Sequence, residues 1–412
     1  MPQEKQPLKT DIVSSIFSRQ VKKQFSSLFI PKESKTPLKA IEREKSAGSA
    51  SIIKKRFPFG LDIGANSIKA LQLACDQAGE IKLINLAIEE LPQEAQGHNP
   101  EARQRILPEI LKKFVNEKGL KGDCFAIVPN SSCKINLIRL PQMPASEIDK
   151  ALRWEIRQIF QTDLNEISLD YIVLEGQKEK FLGNQIGILA VCSFKKDIFE
   201  QMALLESAGL NPLAIDIEPL ADLAVLDYAR KTAFREVALF LDFGAGKTLL
   251  SIICDNELIS TRPLNVTGNS LTKAVSEYCN ISWEEAEVLK KAFGLTASSA
   301  EQAIIGSSDK AIQVRNVILP LLENMVQDIE HTFKYFSYQV TQSQITHFEK
   351  IILSGGSSCL LGLSGFLRNR LNADVQIIDS LANLGSLEPS FKSNNSSCRF
   401  NVALGLALRG VE

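Results

Sequence analysis

Two short aspartate–glycine stretches carry the residues with the most specific chemistry in this chain. The first reads GLDIGANSIK from Gly60 to Lys69, and the second reads LDFGAGKT from Leu241 to Thr248. In each, an apolar strand reaches an aspartate, turns over glycines and continues as an alternating apolar strand, which is typical of a β-hairpin. The tip of such a hairpin exposes backbone N–H groups that bind anions, and an aspartate beside that anion requires an intervening divalent cation with its waters.

The two stretches share an Asp-x-Gly-Ala core, and Asp62 and Asp242 lie 180 positions apart in similar strand contexts. One Asp-x-Gly turn alone indicates only an ordinary hairpin, because such turns are common. Two copies at this separation predict a duplicated, two-lobed protein. We expect the two tips to face each other across a cleft and to bind a nucleotide polyphosphate with Mg²⁺, which Asp62 and Asp242 hold through water.

The composition is that of a soluble globular protein. The 412 residues include 44% hydrophobic and 23% charged side chains, and 47 basic against 48 acidic residues give a net charge of −1. This length predicts two or three domains, and the charge balance argues against nucleic-acid binding. No apolar run approaches the roughly 18 residues of a membrane span, and the amino terminus lacks the apolar core of a signal peptide.

The cysteines and histidines indicate the compartment. The eight cysteines are scattered without a Cys-x-x-Cys pair, and none of the three histidines lies near a cysteine cluster. The pattern predicts small, reduced core residues in a cytoplasmic protein and no zinc site.

Residues 1–56 differ in charge from the rest of the chain. They carry thirteen Lys and Arg against five Asp and Glu, a net charge of +8, which leaves about −9 for the remainder. Residues 32–50 are rich in Lys, Ser and Pro, a composition that favours disorder. Residues 11–29 combine apolar positions at helical spacing with intervening basic residues, which predicts an amphipathic helix. That helix could bind a partner helix, form only transiently, or contact an anionic membrane.

Hydrophobic periodicity divides the remaining chain into two lobes with an additional unit in each. Strand and helix patterns between residues 122 and 192 predict a compact βαββ unit inserted in the first lobe. The expected domains are a first lobe at residues 57–121 and 193–235, an inserted unit at 122–192, a second lobe at 236–264 and 346–412, and a helical subdomain at 265–345.

Five segments, taken in order over residues 57–412, resemble the actin, Hsp70 and sugar-kinase superfamily. The two hairpins are similar to its phosphate loops, and Ser354-Gly-Gly-Ser357 to its adenosine loop. Glu218-Pro-Leu-Ala221 and Ala403–Ala407 resemble its two connecting helices. The resemblance implies nucleotide contacts from the loops and from a Glu-x-x-Lys pair, namely Asp62, Gly64, Asn66, Ser67, Lys69, Asp242, Gly244, Gly246, Lys247, Thr248, Glu287, Lys290, Gly355, Gly356 and Ser357. Glu218 is implied as a residue that orients water for hydrolysis.

The inserted unit is similar to that of the cell-division protein FtsA. Four segments most resemble the PilM family, which are cytoplasmic actin-like proteins of type IV pilus assembly. These segments are FPFGLDIGANSIK from Phe57, LPQMP from Leu140, ALRWEI from Ala151 and GLALRG from Gly405. The resemblance implies an α/β fold with two actin/Hsp70-like lobes, a duplicated RNase H-like architecture with an FtsA-like inserted subdomain. It also implies ATP and Mg²⁺ as ligands.

The implied role is a scaffold at the inner face of the cytoplasmic membrane. Its implied partners are the cytoplasmic amino-terminal peptide of an inner-membrane PilN-like protein, bound beside the inserted unit in a nucleotide-linked manner, and other inner-membrane assembly proteins of the pilus. Two other functions stay open: an FtsA-like division protein that polymerises, and a small-molecule kinase. The insertion offers no obvious sugar-binding cluster for a kinase.

The sequence departs from the family pattern in two places. Lys247 occupies a variable position of the second phosphate loop, where its charge favours retention of nucleotide over turnover. The basic arm before Arg56 has no counterpart in the usual pattern. No FtsA-like amphipathic helix follows Arg409, which argues against anchoring from the carboxyl end. Whether ATP is hydrolysed at a useful rate, and whether the chain self-associates, stays open.

Overall fold

A computed structural model describes residues 57–75, 80–96, 100–128, 133–160, 163–174, 185–229, 237–254, 256–296, 308–339, 341, 346–348, 350–384 and 396–411. The basic arm with its predicted amphipathic helix and the predicted turn at 76–79 lie outside these residues.

The described residues form both strands and helices. The strands are β1 (Phe59–Ile63), β2 (Ser67–Cys75), β3 (Ile81–Glu90), β4 (Gly122–Ile127), β5 (Cys133–Pro141), β6 (Ile167–Leu174), β7 (Gln185–Phe194), β8 (Leu210–Asp216), β9 (Val237–Phe243), β10 (Thr248–Cys254), β11 (Glu257–Leu264), β12 (Lys350–Ser354) and β13 (Asp374–Ile377). The helices are α1 (Pro100–Glu117), α2 (Ala145–Phe160), α3 (Lys195–Ser207), α4 (Glu218–Ala229), α5 (Gly268–Cys279), α6 (Trp283–Phe293), α7 (Ser308–Gln339), α8 (Leu363–Leu371) and α9 (Asn401–Arg409).

Two five-stranded sheets have the same topology. The first has the order β3-β2-β1-β4-β8, and the second has the order β11-β10-β9-β12-β13. In each sheet the strand that precedes the Asp-x-Gly turn is central, pairs antiparallel with the strand after the turn and pairs parallel with the next strand across. The duplication predicted from the two Asp-x-Gly stretches is therefore confirmed.

Helices cover these sheets, which explains the nearly continuous burial of the central strands. The first sheet packs against α1 and α3 through a core that includes Leu111, Phe114 and Leu205. The second sheet shares a core with α5, α6, α7 and α8. In α7, Val314, Ile318 and Leu322 are fully buried, and their spacing of four residues places them on one helical face.

The inserted unit is a separate three-stranded sheet of order β5-β7-β6. Helix α2 packs on it through Ile148, Leu152 and Ile156, which share one helical face. In the sequence-based assignment β4 belongs to this unit, but β4 pairs with β1 and β8 in the first sheet. β4 therefore belongs to the first lobe, and the inserted unit begins after β4 instead of at residue 122. The sequence could not show this, because the residues of an apolar strand do not reveal which sheet it joins.

Helices α4 and α9 pack together between the two large sheets. A Cβ atom on Gly405 would lie 2.1 Å from the carbonyl oxygen of Ala221, and one on Gly60 would lie 2.1 Å from that of Ala403. Only glycine permits these approaches, since real Cβ contacts are never so short. The two helices thus bring both Asp-x-Gly turns to opposite walls of one cleft.

Candidate functional site

A cavity of about 1420 Å³ lies between the two Asp-x-Gly turns. Its walls come from both large sheets, the amino terminus of α4, helix α6 and the turn at Gly356–Cys359. Ligand pockets for small molecules occupy roughly 300–1,000 Å³, so this cavity has room for a whole nucleoside triphosphate. All of the residues that the sequence predicts for the site line it.

The first turn is held in a single shape. The backbone N–H of Gly64 donates to the carbonyl of Ser67 at 3.0 Å, and Lys69 Nζ donates to Asp62 Oδ2 at 2.7 Å. Arg103 of α1 supports the turn from behind by donating to the carbonyls of Gly64 at 2.9 Å and Ala65 at 3.0 Å. Burial lowers the pKa of Arg103, with an opposing effect from Asp62. In this structure Lys69, predicted to contact phosphate, is paired with Asp62.

The second turn is fixed by α5 and by the glycine turn after β12. The backbone N–H groups of Gly268 and Asn269 donate to the carbonyls of Gly244 at 3.0 Å and Ala245 at 2.7 Å. Ser357 Oγ donates to the same Gly244 carbonyl at 3.1 Å. The predicted phosphate and adenosine loops of the second lobe are therefore hydrogen-bonded to each other.

The two turns touch across the cleft. A Cβ atom on Gly246 would lie 2.5 Å from the Cβ of Ala65, so the tip of the second turn must be glycine for the tips to meet. Beside this contact the side-chain amides of Asn66 and Asn269 are hydrogen-bonded, at 2.9 Å from Asn66 Nδ2 to Asn269 Oδ1. The structure therefore shows the cleft with its two turns together.

Buried carboxylates lie at the floor of the cleft and behind it. Glu218 and Asp242 line the cavity, Asp222 lies behind them, and all three are at most 5% exposed. Burial and repulsion from Glu218 raise the pKa of Asp242 well above its usual range, and they do the same for Asp222. Lys247 forms an ion pair with Glu218. Burial would lower the pKa of Lys247, but Glu218, Asp242 and Asp62 outweigh burial and raise it.

The predicted Glu-x-x-Lys pair lies at the end of the cavity formed by α5 and α6. Lys290 Nζ donates to Glu287 Oε2 at 2.6 Å, to Thr272 Oγ1 at 2.8 Å and to the carbonyl of Gly268 at 3.0 Å. Burial would raise the pKa of Glu287, but the ammonium of Lys290 and the hydroxyl of Thr272 outweigh it and lower the pKa. The pair thus keeps Glu287 charged at the cavity wall.

The turn after β12 places backbone directly against Asp242. Gly355 has φ of +82°, and a Cβ atom there would lie 2.4 Å from Asp242 Oδ1. The same turn carries Cys359, whose Sγ lies 3.2 Å from Sγ of Cys398. A hydrogen bond from Cys398 lowers the pKa of Cys359 to about 7. Both thiols line the cavity.

Several residues that contribute to the site escape prediction from the sequence. Arg103 and Asn269 hold the turns, and Asn401 of α9 donates to Asp222 Oδ1 at 2.5 Å. Arg399 pairs with Glu90 of β3, which joins the segment before α9 to the first sheet. Each lies in a helix or turn whose local pattern indicates only packing, so no sequence signal distinguishes it.

The donor set suits a nucleotide with Mg²⁺. Among the residues that the structure describes, no cluster of three or more His, Cys, Asp or Glu side chains is arranged to hold a metal ion. Mg²⁺ usually retains several waters and binds through one or two carboxylates together with substrate phosphates. Asp62 and Asp242 both line the cavity and meet that need. Bound Mg²⁺ would neutralise phosphate charge and polarise the phosphoryl group.

Comparison with known proteins gives consistent results. A family model described as type IV pilus assembly protein PilM matches residues 60–411. Cell division protein FtsA of Bacillus subtilis (strain 168) is 25% identical over 243 residues, which span 54% of this chain and 54% of FtsA. FtsA of Enterococcus faecalis (strain ATCC 700802 / V583) is 24% identical over 180 residues, 42% of this chain and 40% of the relative. The chain thus matches about half the length of these relatives or less.

A solved structure extends the similarity to most of the chain. A chain of a structure titled "PilM-PilN type IV pilus biogenesis complex" superimposes with a TM-score of 0.70 and 24% identity, and the alignment covers 87% of this chain and 99% of that chain. The predicted actin-like, two-lobed α/β fold is confirmed. Among the described residues, none of the helices combines the length and the apolar character needed to cross a bilayer.

Proposed function

Because the chain belongs to the type IV pilus assembly protein PilM family, we propose that it is an ATP-binding, actin-like scaffold whose nucleotide-bound form captures an inner-membrane PilN-like protein. The observation that carries this proposal is the pair of Asp-x-Gly turns meeting across one large cavity. In this function the protein works at the inner face of the cytoplasmic membrane through its partners.

In the proposed complex the polyphosphate lies in the cavity that both turns line. Gly64, Asn66, Ser67 and Lys69 contact it from the first lobe. The contacts from the second lobe are Gly244, Gly246, Lys247 and Thr248. Asp62 and Asp242 hold the waters of Mg²⁺. Gly355, Gly356 and Ser357 pass beside the adenosine, and Glu287 and Lys290 contact its ribose or base. Glu218 is the residue that would orient water if ATP is hydrolysed.

The partner is proposed to bind beside the inserted unit. A second groove of about 510 Å³ lies where the Leu164–Glu166 turn and the end of β7 meet α3. Phe199 of α3 lines it and is 57% exposed, which offers an apolar anchor for a short peptide. The similar structure contains PilN, which makes the amino-terminal cytoplasmic peptide of a PilN-like protein the proposed occupant.

Nucleotide and peptide are linked only if ATP binds the peptide-competent state more tightly than the other state. The inserted unit joins the first sheet beside β4 and β8, whereas ATP contacts both lobes. ATP bound to both lobes would therefore stabilise the closed cleft, and with it one position of the first lobe and of the groove attached to that lobe.

The experiment measures retention of the full chain on an immobilised PilN-like amino-terminal peptide with Mg·ATP, with Mg·ADP and without nucleotide. We expect several-fold greater retention with Mg·ATP. Phe199→Ala should lower retention, while Ile84→Ala, a matched loss of an exposed apolar side chain on β3 (56% exposed), should leave it unchanged. Equal retention under all nucleotide conditions would contradict the proposed coupling between nucleotide and peptide binding. No retention under any condition would contradict the proposed PilN-like partner.

The FtsA relatives support a second candidate, a protein that polymerises with ATP. Sedimentation of the chain with and without Mg·ATP separates the two functions. A pellet that depends on ATP favours polymerisation, whereas a soluble chain that retains the peptide favours the scaffold.

A further inference from the structure

We propose that Lys247 is a positioning residue that occupies the carboxylate of Glu218, so that neither a water nor a cation can be held there and the protein retains ATP instead of hydrolysing it. This inference rests on the proposed nucleotide binding and adds a control on turnover. Its basis is the ion pair of Lys247 and Glu218 at the floor of the cleft.

The ion pair is well placed to persist. The side chain of Glu218 is 4% exposed, and that of Lys247 is 34% exposed. The carbonyl of Lys247 accepts a hydrogen bond from Gly244 N–H at 2.9 Å, so the turn fixes the backbone position from which the lysine side chain extends. Removing one member of such a pair leaves the other charge buried without compensation, which is costly. Separating Lys247 from Glu218 is therefore unfavourable, and the ion pair should persist.

Hydrolysis needs the group that Lys247 occupies. A water oxygen bonds to the terminal phosphorus while the bond from that phosphorus to the bridging oxygen breaks, so ADP leaves with the bridging oxygen and the proton of the water passes to solvent. A carboxylate that accepts a hydrogen bond from this water orients it. Glu218 is already engaged by Lys247 and Asp242. Its capacity to orient water is therefore reduced.

The duplicated turn supplies a natural comparison. The position in the first turn that corresponds to Lys247 is Ser67, five residues after the aspartate in each copy. The first turn has its own lysine, Lys69, which pairs with Asp62 on the same strand pair. Only in the second turn does a lysine reach a carboxylate of a connecting helix. Lys247→Ser thus gives the second turn the residue that the first turn has at this position, and serine is smaller than lysine.

The test uses the full chain in four forms: wild type, Lys247→Ser, Lys247→Arg and the double variant Glu218→Gln with Lys247→Ser. Single-turnover hydrolysis is measured at saturating Mg·ATP. Binding of Mn²⁺ to the nucleotide-free protein is measured by electron paramagnetic resonance. Lys273→Ser, which removes an exposed lysine of α5 that pairs with Glu277, is the control for loss of one positive charge.

We expect Lys247→Ser to hydrolyse ATP about tenfold faster or more, since oriented general-base groups contribute at least this much. The same variant should bind one Mn²⁺ about tenfold more tightly than wild type, because Glu218 then lacks a cation. Lys247→Arg should behave as wild type, and the double variant should lose both gains.

Unchanged Mn²⁺ affinity in Lys247→Ser overturns the inference whatever the hydrolysis result. A gain in Mn²⁺ affinity without faster hydrolysis also overturns it, since Glu218 would then not limit turnover. If the wild type fails to bind ATP, the proposed function fails, and the Mn²⁺ measurement alone decides whether Lys247 occupies Glu218. Circular dichroism of each variant confirms that the comparison is between folded proteins.

Discussion

Asn66 and Asn269, 203 positions apart, exchange side-chain hydrogen bonds across the cleft. Asn66 Nδ2 donates to Asn269 Oδ1 at 2.9 Å, and Asn269 Nδ2 donates to Asn66 Oδ1 at 3.3 Å. Asn66 stands on the first turn, and the backbone of Asn269 binds the second turn through Ala245. One residue of α5 therefore joins both turns, and the amide pair stabilises the closed cleft.

Asn269→Ala should loosen the closed cleft. It removes two side-chain hydrogen bonds, each worth about 0.5–1.5 kcal/mol net, while the backbone contact to Ala245 stays. We expect faster hydrogen exchange in both turns and a lower melting temperature. Asn116→Ala, on the exposed face of α1, is the control. Equal exchange in the two variants would show that the amide pair does not hold the lobes together.

Asp62→Asn and Asp242→Asn should each weaken Mg·ATP binding by roughly 10–100-fold, the range seen when a residue that orients a metal's ligands is lost. Asn keeps the size of Asp but lacks the charge that orders the waters of Mg²⁺. Calorimetric titration checks this. Unchanged affinity in both variants would remove the assignment of the cleft as a nucleotide site.

Asp242 should also make the nucleotide-free protein pH-sensitive. Burial and repulsion from Glu218 raise its pKa in the folded state, so the folded protein binds this proton more tightly than the unfolded chain does. Its stabilising contribution is fully present below the unfolded pKa of about 4 and is lost as pH rises toward the raised folded pKa. Asp242→Asn should flatten this fall and stabilise the protein at neutral pH by about 1–3 kcal/mol. Denaturant unfolding at several pH values tests this, and an equally steep fall in the variant would contradict it.

Gly405 should be intolerant of a single added methyl group. Gly405→Ala places Cβ against the Ala221 carbonyl and must separate α4 from α9, at a cost of about 1–3 kcal/mol or more. Gly365→Ala is the matched control in α8, where a Cβ would meet nothing within 4 Å. It should stabilise the protein by about 0.5–1 kcal/mol, since alanine favours helix. Similar unfolding free energies for the two variants would mean that α4 and α9 can adjust.

Cys359 should react with iodoacetamide near neutral pH. The hydrogen bond from Cys398, with a contribution from Arg399, lowers its pKa to about 7, whereas burial raises the pKa of Cys124 and Cys192 to about 12. The alkylation rate at Cys359, followed by mass spectrometry, should therefore reach half its maximum near pH 7. Cys398→Ala should move this midpoint to higher pH, and Mg·ATP should protect Cys359, which lines the cavity. An unmoved midpoint would show that Cys398 does not set the pKa.

Deletion of residues 1–50 should leave ATP affinity and thermal stability unchanged, because the residues of the cleft begin after Arg56. The basic segment at 11–29 is predicted to tether the protein to a partner helix or to anionic lipid, an attraction that salt weakens. Co-sedimentation with anionic vesicles at low and high salt tests the lipid alternative. A deletion that unfolds the protein would show that the arm packs against the first lobe.

Local pattern in the sequence was enough to predict the two hairpins, the strands around them and the duplicated lobes. The Asp-x-Gly turns follow from what glycine and aspartate do within a few residues. The residues predicted for the site all line one cavity, because each is fixed locally in its turn or helix and the packing of α4 against α9 then brings the two lobes together.

Tertiary structure alone decided which distant side chains meet. The sheet that β4 joins, the support of the first turn by Arg103, and the Asn66–Asn269 pair depend on how segments far apart in the chain pack. The sequence predicted positive charge from Lys247 near the phosphates, but its pairing with Glu218 requires the second turn to face the amino terminus of α4. Periodicity records which face of an element is buried and carries no information about its partner, so such pairings emerge only when the elements pack.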